Sequence, residues 1–217
     1  MGFPELMGYF VMAGYRRLLW RNDMLEDLVL KNRSYRRFHE DVAVDVATLR
    51  ELIDLARLSA SARNMQPLRY ILCSDRDTNA EIFSTLAWAG YLKDWPGPME
   101  GERPAAYIVV LADTTNAIHA YIGVDHGLTM QNILLGAVER GLGGCIIGSI
   151  QRDRLRKILA IPESYEILEV LALGKPKETI VVDPVNPDGD IKYWRDAEGV
   201  HHVPKRSLDD LIIAELR

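Results

Sequence analysis

Residues Ala105–Ala112 read AAYIVVLA, eight consecutive positions without a charge. An apolar run this short is a strand, and because it does not alternate with polar residues both of its faces are buried. The rest of the chain must therefore supply a layer for each face, and it does. Asp45–Ser61 carries Val46, Leu49, Leu52, Ile53 and Ala56 at the 3.6-residue period, with Thr48 and Glu51 spaced as a capping box. Ala117–Arg140 is the longest helical pattern, with Leu128, Leu134, Leu135 and Val138 as its apolar residues. Its Gly123, Gly127 and Gly136 permit close helix contact. Met24–Lys31, Thr78–Ala89 and Arg152–Leu159 read as shorter helices, Leu68–Cys73 and Glu166–Leu173 as strands.

Between these lie segments without periodicity. Gly90–Pro104 (GYLKDWPGPMEGERP) combines prolines, glycines and charges, and a loop of this length is a lid or binding loop. Gly141–Gly148 reads as a glycine-rich turn, the chain from Gly174 as loop, Asp183–Asp190 as turn chemistry and Ser207–Leu216 as a closing helix. Residues 1–23 form an extension with an apolar start followed by Arg16, Arg17 and Arg21, the reverse of a signal peptide's order. The expectation there is an amphipathic helix packed on residues 24–217 or on a partner subunit.

The 217 residues suit one domain with this appendage, and 48% apolar residues are enough for a real core. The net charge of −5 argues against a general nucleic-acid binder, so any anion is held locally. Two cysteines, Cys73 and Cys145, are too few for a disulfide scaffold and fit a reducing cytoplasm. No run approaches the roughly 18 apolar residues that span a bilayer.

Familiar catalytic motifs are missing. GLGGCIIG has Ile146 where the dinucleotide fingerprint needs its third glycine, and it follows a helix instead of opening one. Gly174-Lys175 is followed by Pro176, so there is no triphosphate loop. His119 and His126 lie two helical turns apart, about 10 Å, too far to share one zinc, and no metal is expected. Cys145, between glycines and isoleucines, reads as a small buried hydrophobe, and there is no G-x-S-x-G elbow. No catalytic side chain is expected.

What remains is a set of polar residues in unusual places. RSYRRF presents Arg33, Ser34 and Arg36 within four positions; taken alone this is first a solvated basic face, and it also suits a phosphate monoester. SARNMQP puts Asn64 and Gln66 between a helix and a strand, either as caps or aimed at the edge of a planar heterocycle. VPKRSL adds Lys205 and Arg206 late in the chain.

RSYRRF, SARNMQPLRY, DHGLTMQNILLGAVERGLGGCIIG, the strand ending ALGKP and HHVPKRSL, in this order and spacing, resemble the FMN-dependent nitroreductases, from about Met24 to the C-terminus. The resemblance implies an α+β fold in which helices surround a small mixed, mostly antiparallel sheet, built as an intertwined homodimer with FMN at the subunit interface. It implies that Arg33, Ser34 and Arg36 make the opening phosphate and flavin contacts, and that Lys205 and Arg206 complete the phosphate site. Asn64 and Gln66 approach the flavin of the other subunit, and the backbone at Ile146, Ile147 and Gly148 faces the isoalloxazine. The family's glycine turn often carries a Trp just past the cysteine position, where Ile146 stands here, leaving a flatter, more open flavin face.

The function implied is a cytoplasmic oxidoreductase passing electrons from NADH or NADPH through FMN to nitroaromatic, quinone or similar small acceptors, with chemistry at the flavin N5. Relatives that dehalogenate aromatics or consume their flavin, and a flavin-binding dimer without turnover, are the alternatives. Tyr91, Trp95 and Met99 are the large apolar side chains of the lid, and Trp95 either roofs a flat substrate or anchors the loop.

Overall fold

The computed structural model describes residues 24–115 and 119–217. The extension over residues 1–23 lies outside the described residues. Two sheets and six helices make up the described fold. β3 (Ala106–Asp113) is buried at every position, as its unbroken apolar run requires. It lies between β2 (Leu68–Cys73) and β5 (Tyr165–Pro176), both antiparallel to it. β5 also pairs antiparallel with β4 (Gly143–Ile147), and its last two residues pair with β1 (Phe38–His39). All pairings of this five-stranded sheet are antiparallel.

Each face of the sheet carries its own core. On one, Leu49 and Leu52 of α2 (Val46–Arg57) and Ile133 and Ala137 of α4 (His119–Glu139) pack against Ile108, Val110, Leu171 and Leu173. On the other, Ile82 of α3 (Arg76–Phe83) and Leu155 of α5 (Arg152–Ile158) pack against Tyr107, Val109, Val170 and Ala172. Each of the Leu, Ile and Val side chains among them, fully buried, contributes roughly 1.5–3 kcal/mol. α2 and α4 meet at Gly136, where a Cβ would stand 2.3 Å from Leu55 Cδ1, so glycine permits the close contact expected there. The remaining helices are α1 (Met24–Lys31) and α6 (Leu208–Leu211), neither of which buries a residue. No helix among the described residues is long and apolar enough to cross a membrane.

Several elements differ from the sequence reading. The N-cap of α2 is Asp45, whose carboxylate accepts from Thr48 N at 2.7 Å, so the expected Thr48–Glu51 box does not form. α3 starts earlier than expected, capped by Asp75, and stops at Phe83. Gly141–Gly148 is mostly a strand: Gly144 is required because a Cβ would meet Ala172 O at 2.7 Å, so here glycine marks close approach within a sheet. The segment after Gly174 holds a second sheet of three short strands, β6 (Ile180–Pro184), β7 (Trp194–Arg195) and β8 (His201–Lys205). β8 runs parallel to β6 and antiparallel to β7.

Candidate functional site

The arginine-rich segment lies against β4. Ser34 bridges Gly144 in parallel register, Tyr35 N donates to Gly144 O at 3.0 Å, and the Tyr35 ring covers Gly143. Beyond Gly144 the outer edge of β4 pairs with no other strand among the described residues. That edge leaves backbone N–H and C=O groups unclaimed. Cys145 and Ile147 point into the core, and burial pushes the Cys145 thiol up, whereas Ile146 is 41% exposed. Gly148, also exposed, follows directly.

Arg33 turns back on α1, donating from Nη2 to Val29 O at 2.6 Å, while its buried Nε has no partner. Arg36 donates to Ser34 O at 3.1 Å, stacks over Tyr193 at 4.7 Å and lies 3.2 Å from His201 Nε2. Neither guanidinium meets a carboxylate within 4 Å among the described residues. The neighbouring arginine does: Arg37 grips Glu102 with two bonds of 2.7 and 2.6 Å, and Lys177 adds a third contact at 3.3 Å. Lys205 and Arg206 stand at the far end of β8, four and five residues beyond His201, and Lys205 is therefore about 13 Å along the strand from the Arg36 contact.

The hub of this region is Glu178, which the sequence reading passed over. Its side chain is fully buried, accepts from the backbone N–H of Arg36 and of Arg37, and pairs with Arg195 at 2.8 Å. Arg195 in turn lies over the Trp95 ring at 4.8 Å. Glu178, Tyr193, Arg195 and His201 all come from the segment read as loop. The residue types were visible there, but strands of two to five residues containing Pro184 and Pro204 give no periodic signal.

Trp95 sits half-buried among the residues around Trp88 and Phe83, with Arg195 on its face, which is the position of an anchor. Tyr91 and Met99 remain exposed, Tyr91 packing on Tyr193 at 4.9 Å. Trp95→Ala is therefore expected to lower the melting temperature by several degrees, corresponding to about 2–4 kcal/mol lost from a partly buried aromatic, with acceptor ranking unchanged. A thermal melt and an acceptor panel on the variant check both halves.

The pKa values of the adjacent histidines of β8 are shifted in opposite directions. His202 bonds two carboxylates, Asp183 at 2.7 Å and Asp196 at 3.3 Å, and stacks on Trp194. The Asp183 bond chiefly raises its pKa, favouring the protonated form. His201, 1% exposed, is pushed down to about 4 by burial and by Arg36 and Arg195. Arg36 can only donate, so His201 Nε2 accepts and the proton sits on Nδ1. Stability should thus fall as pH drops from 6.5 towards about 4, where the unfolded chain binds a proton that native His201 refuses. It should also fall as pH rises through the raised value of His202, whose stabilisation is complete only below 6.5. Melting temperature against pH should therefore peak near neutrality, and His202→Gln should abolish the alkaline fall.

The amide pair occupies a strained turn elsewhere. Arg63, Asn64 and Gln66 have φ of 52°, 54° and 49°, a region that side chains disfavour at roughly 1–3 kcal/mol each. Buried Asp125 of α4 holds the turn, accepting from Ser61 Oγ at 2.6 Å and Ala62 N at 2.9 Å, and Ser61 Oγ accepts from Gln66 N at 2.9 Å. Gln66 Nε2 donates to Asn64 Oδ1 at 3.1 Å, and both amides are exposed. No hydrogen bond or ion pair joins them to Arg33 or Arg36.

Comparison with known proteins places this architecture. A protein of Archaeoglobus fulgidus, whose name couples NADH dehydrogenase with NAD(P)H nitroreductase, is 28% identical over 148 residues, 65% of this chain and 80% of its own. An NADPH-flavin oxidoreductase of Vibrio harveyi is 27% identical, over 74% of this chain and 69% of its own. The crystal structure of a nitroreductase family protein from Streptococcus pneumoniae superposes with a TM-score of 0.61 at 19% identity, over 76% of this chain and 96% of that one. The sequence pattern of the Nitroreductase family matches residues 29–175. The chain belongs to the nitroreductase family, flavin-dependent and typically FMN-dependent oxidoreductases that take their electrons from NAD(P)H.

Proposed function

We propose that this protein binds FMN along β4 and passes electrons from NADH or NADPH to nitroaromatic, quinone or similar small acceptors in the cytoplasm. The observation that carries the reading is the pair of guanidiniums, Arg33 and Arg36, left without carboxylates beside the open edge of β4. Both are partly buried, and a phosphate dianion would supply the counter-charge they lack. Ser34 adds a hydroxyl to that phosphate site, and Lys205 and Arg206 approach from the end of β8. The backbone at Ile146, Ile147 and Gly148 suits the edge of a flavin ring, with exposed Ile146 against its face.

When bound, FMN supplies the hydride chemistry, accepting from the nicotinamide and donating to the acceptor. The chain's own part is placement. Arg33, Ser34 and Arg36 fix one end of the cofactor, the β4 edge fixes the other, and Tyr91 and Met99 shape the approach to it.

A homodimer completes the reading. Members of the family are generally dimeric, and this chain leaves wide apolar faces uncovered. On α4, Tyr121, Val124 and Leu128 are exposed beside open Gly123 and Gly127. On α1, Met24, Leu25 and Leu30 are exposed, and so are Ile213 and Leu216 near the C-terminus. A soluble monomer rarely shows so much. In the dimer, Asn64 and Gln66 reach the flavin of the other subunit.

The test is reconstitution with FMN. Quenching of FMN fluorescence at one FMN per chain, anaerobic bleaching by NADH or NADPH, and recovery of colour with a nitroaromatic or quinone are expected. Absence of FMN binding would refute the reading.

A further inference from the structure

Two polar atoms beside the end of β4 have no hydrogen-bond partner: Glu169 Oε2 and His126 Nδ1, both buried. Glu169 is brought there by a bulge in β5. Val110 pairs with Glu169 and Leu111 with Ile167, so Leu168 is an extra residue facing no partner on β3. Such an insertion breaks the alternation of a strand and re-aims a side chain. The bulge is clamped from α5: Arg152 donates from Nε to Ile167 O at 2.9 Å and from Nη2 to Leu168 O at 2.9 Å.

The re-aimed carboxyl ends on the backbone of Gly148. A Cβ on Gly148 would lie 2.9 Å from Glu169 Oε2 and 3.3 Å from Oε1, so the carboxyl occupies the space that a side chain would need. The charged groups that face it are His126 of α4 and Arg152 of α5; its partner on β3, Val110, is apolar. Burial raises the Glu169 pKa against the opposing influence of His126 and then Arg152. Arg152 spends two of its donors on the bulge carbonyls, and no hydrogen bond from it reaches the carboxyl. Burial and the unpartnered Oε2 make this carboxyl easier to protonate than an exposed one.

We propose that Glu169, backed by His126, holds the proton that completes reduction of an acceptor bound at the Gly148 end of β4. This rests on the reading that residues 146–148 face the flavin ring. The balance is that of a two-electron reduction. A quinone that has received hydride, one hydrogen with an electron pair, from the NAD(P)H-reduced flavin is left with an oxyanion. The Glu169 O–H bond breaks, the acceptor O–H bond forms, hydroquinone leaves, and the carboxylate regains its proton from water, with the His126 imidazole as the relay beside it. An acid placed in this way contributes on the order of 100-fold or more to the step it serves. Glu169 is thereby assigned as the general acid of that step.

Glu169→Gln tests the assignment, because it keeps the shape and removes the transferable proton. In stopped flow on the FMN-loaded protein, reduction by NAD(P)H should be unchanged, and reoxidation by a benzoquinone should slow about 100-fold. The decline of the wild-type reoxidation rate with rising pH should be absent from the variant, and its FMN affinity should stay within about twofold. Glu169→Asp, which retains an acid at shorter reach, should keep the pH-dependent decline at a lower rate, and it serves if the glutamine variant fails to fold.

Independently of flavin, one carboxyl carbon resonance of the FMN-free, glutamate-labelled protein should titrate above the usual carboxylate range and vanish in Glu169→Gln. Wild-type reoxidation rate and pH profile in the glutamine variant, or a Glu169 resonance titrating in the usual range, would overturn the proposal while leaving the flavin reading intact. Failure of the wild type to bind FMN would instead overturn the flavin reading and the role of Glu169 with it.

Discussion

Glu178→Ala is expected to destabilise the protein by about 3–5 kcal/mol, the usual consequence of removing one partner of a buried ion pair. For a chain of this size that is a fall in melting temperature of roughly 6–20 °C. The side chain has no solvent exposure and three donors depend on it: the backbone N–H groups of Arg36 and Arg37 and the Arg195 guanidinium. Truncation leaves all three without an acceptor in a place water reaches poorly. Glu178→Gln, which retains one acceptor oxygen, should lose less. A melting temperature within about 1 °C of wild type for the alanine variant would show that the hub is solvated and energetically idle.

Arg33→Ala/Arg36→Ala is expected to weaken FMN binding by at least about 100-fold, near 2.7 kcal/mol, with the circular dichroism spectrum retained. Removing two guanidiniums leaves a phosphate dianion with only Lys205 and Arg206, two exposed cations screened by water. The measurement is a fluorescence titration of FMN into the apoprotein. Stoichiometric binding with unchanged affinity would remove both arginines from the phosphate site. The single Arg33→Ala variant separates the two, since Arg36 is also packed against Tyr193 and His201 whereas the Arg33 side chain hydrogen-bonds to Val29 O of α1.

Where side-chain pattern alone determines structure, the sequence was legible. β3 was visible as an unbroken apolar run and is buried at every position, and β2 occupies the predicted Leu68–Cys73. The failures have a common cause in long-range geometry. Gly143 and Gly144 look like turn residues, yet they are glycine because Tyr35 and the Ala172 carbonyl stand where a Cβ would be. The small sheet escaped notice because its strands are short, carry prolines and gain their order from contacts such as Arg36 with His201, 165 residues apart. For the candidate site, the clusters around Arg33, Asn64 and Lys205 were singled out from residue type and spacing, and Ile146 through the family resemblance. Glu178 and Glu169 were not, since a lone glutamate in a polar or strand segment carries no local mark of being buried.

The hydrogen bonds from Arg36 and Arg37 to Glu178 span 142 and 141 residues. They impose an order of events on synthesis. The arginine segment leaves the ribosome early, but the acceptor that fixes its backbone, and the tyrosine and histidine that hold Arg36, are translated more than 140 residues later. Until the final third of the chain has emerged, the arginine segment has its charges but not its shape. If these arginines hold the cofactor phosphate as proposed, its capture is deferred until that segment is made, and a product truncated before residue 178 would carry the same two arginines without Glu178, Tyr193 and His201 to order them.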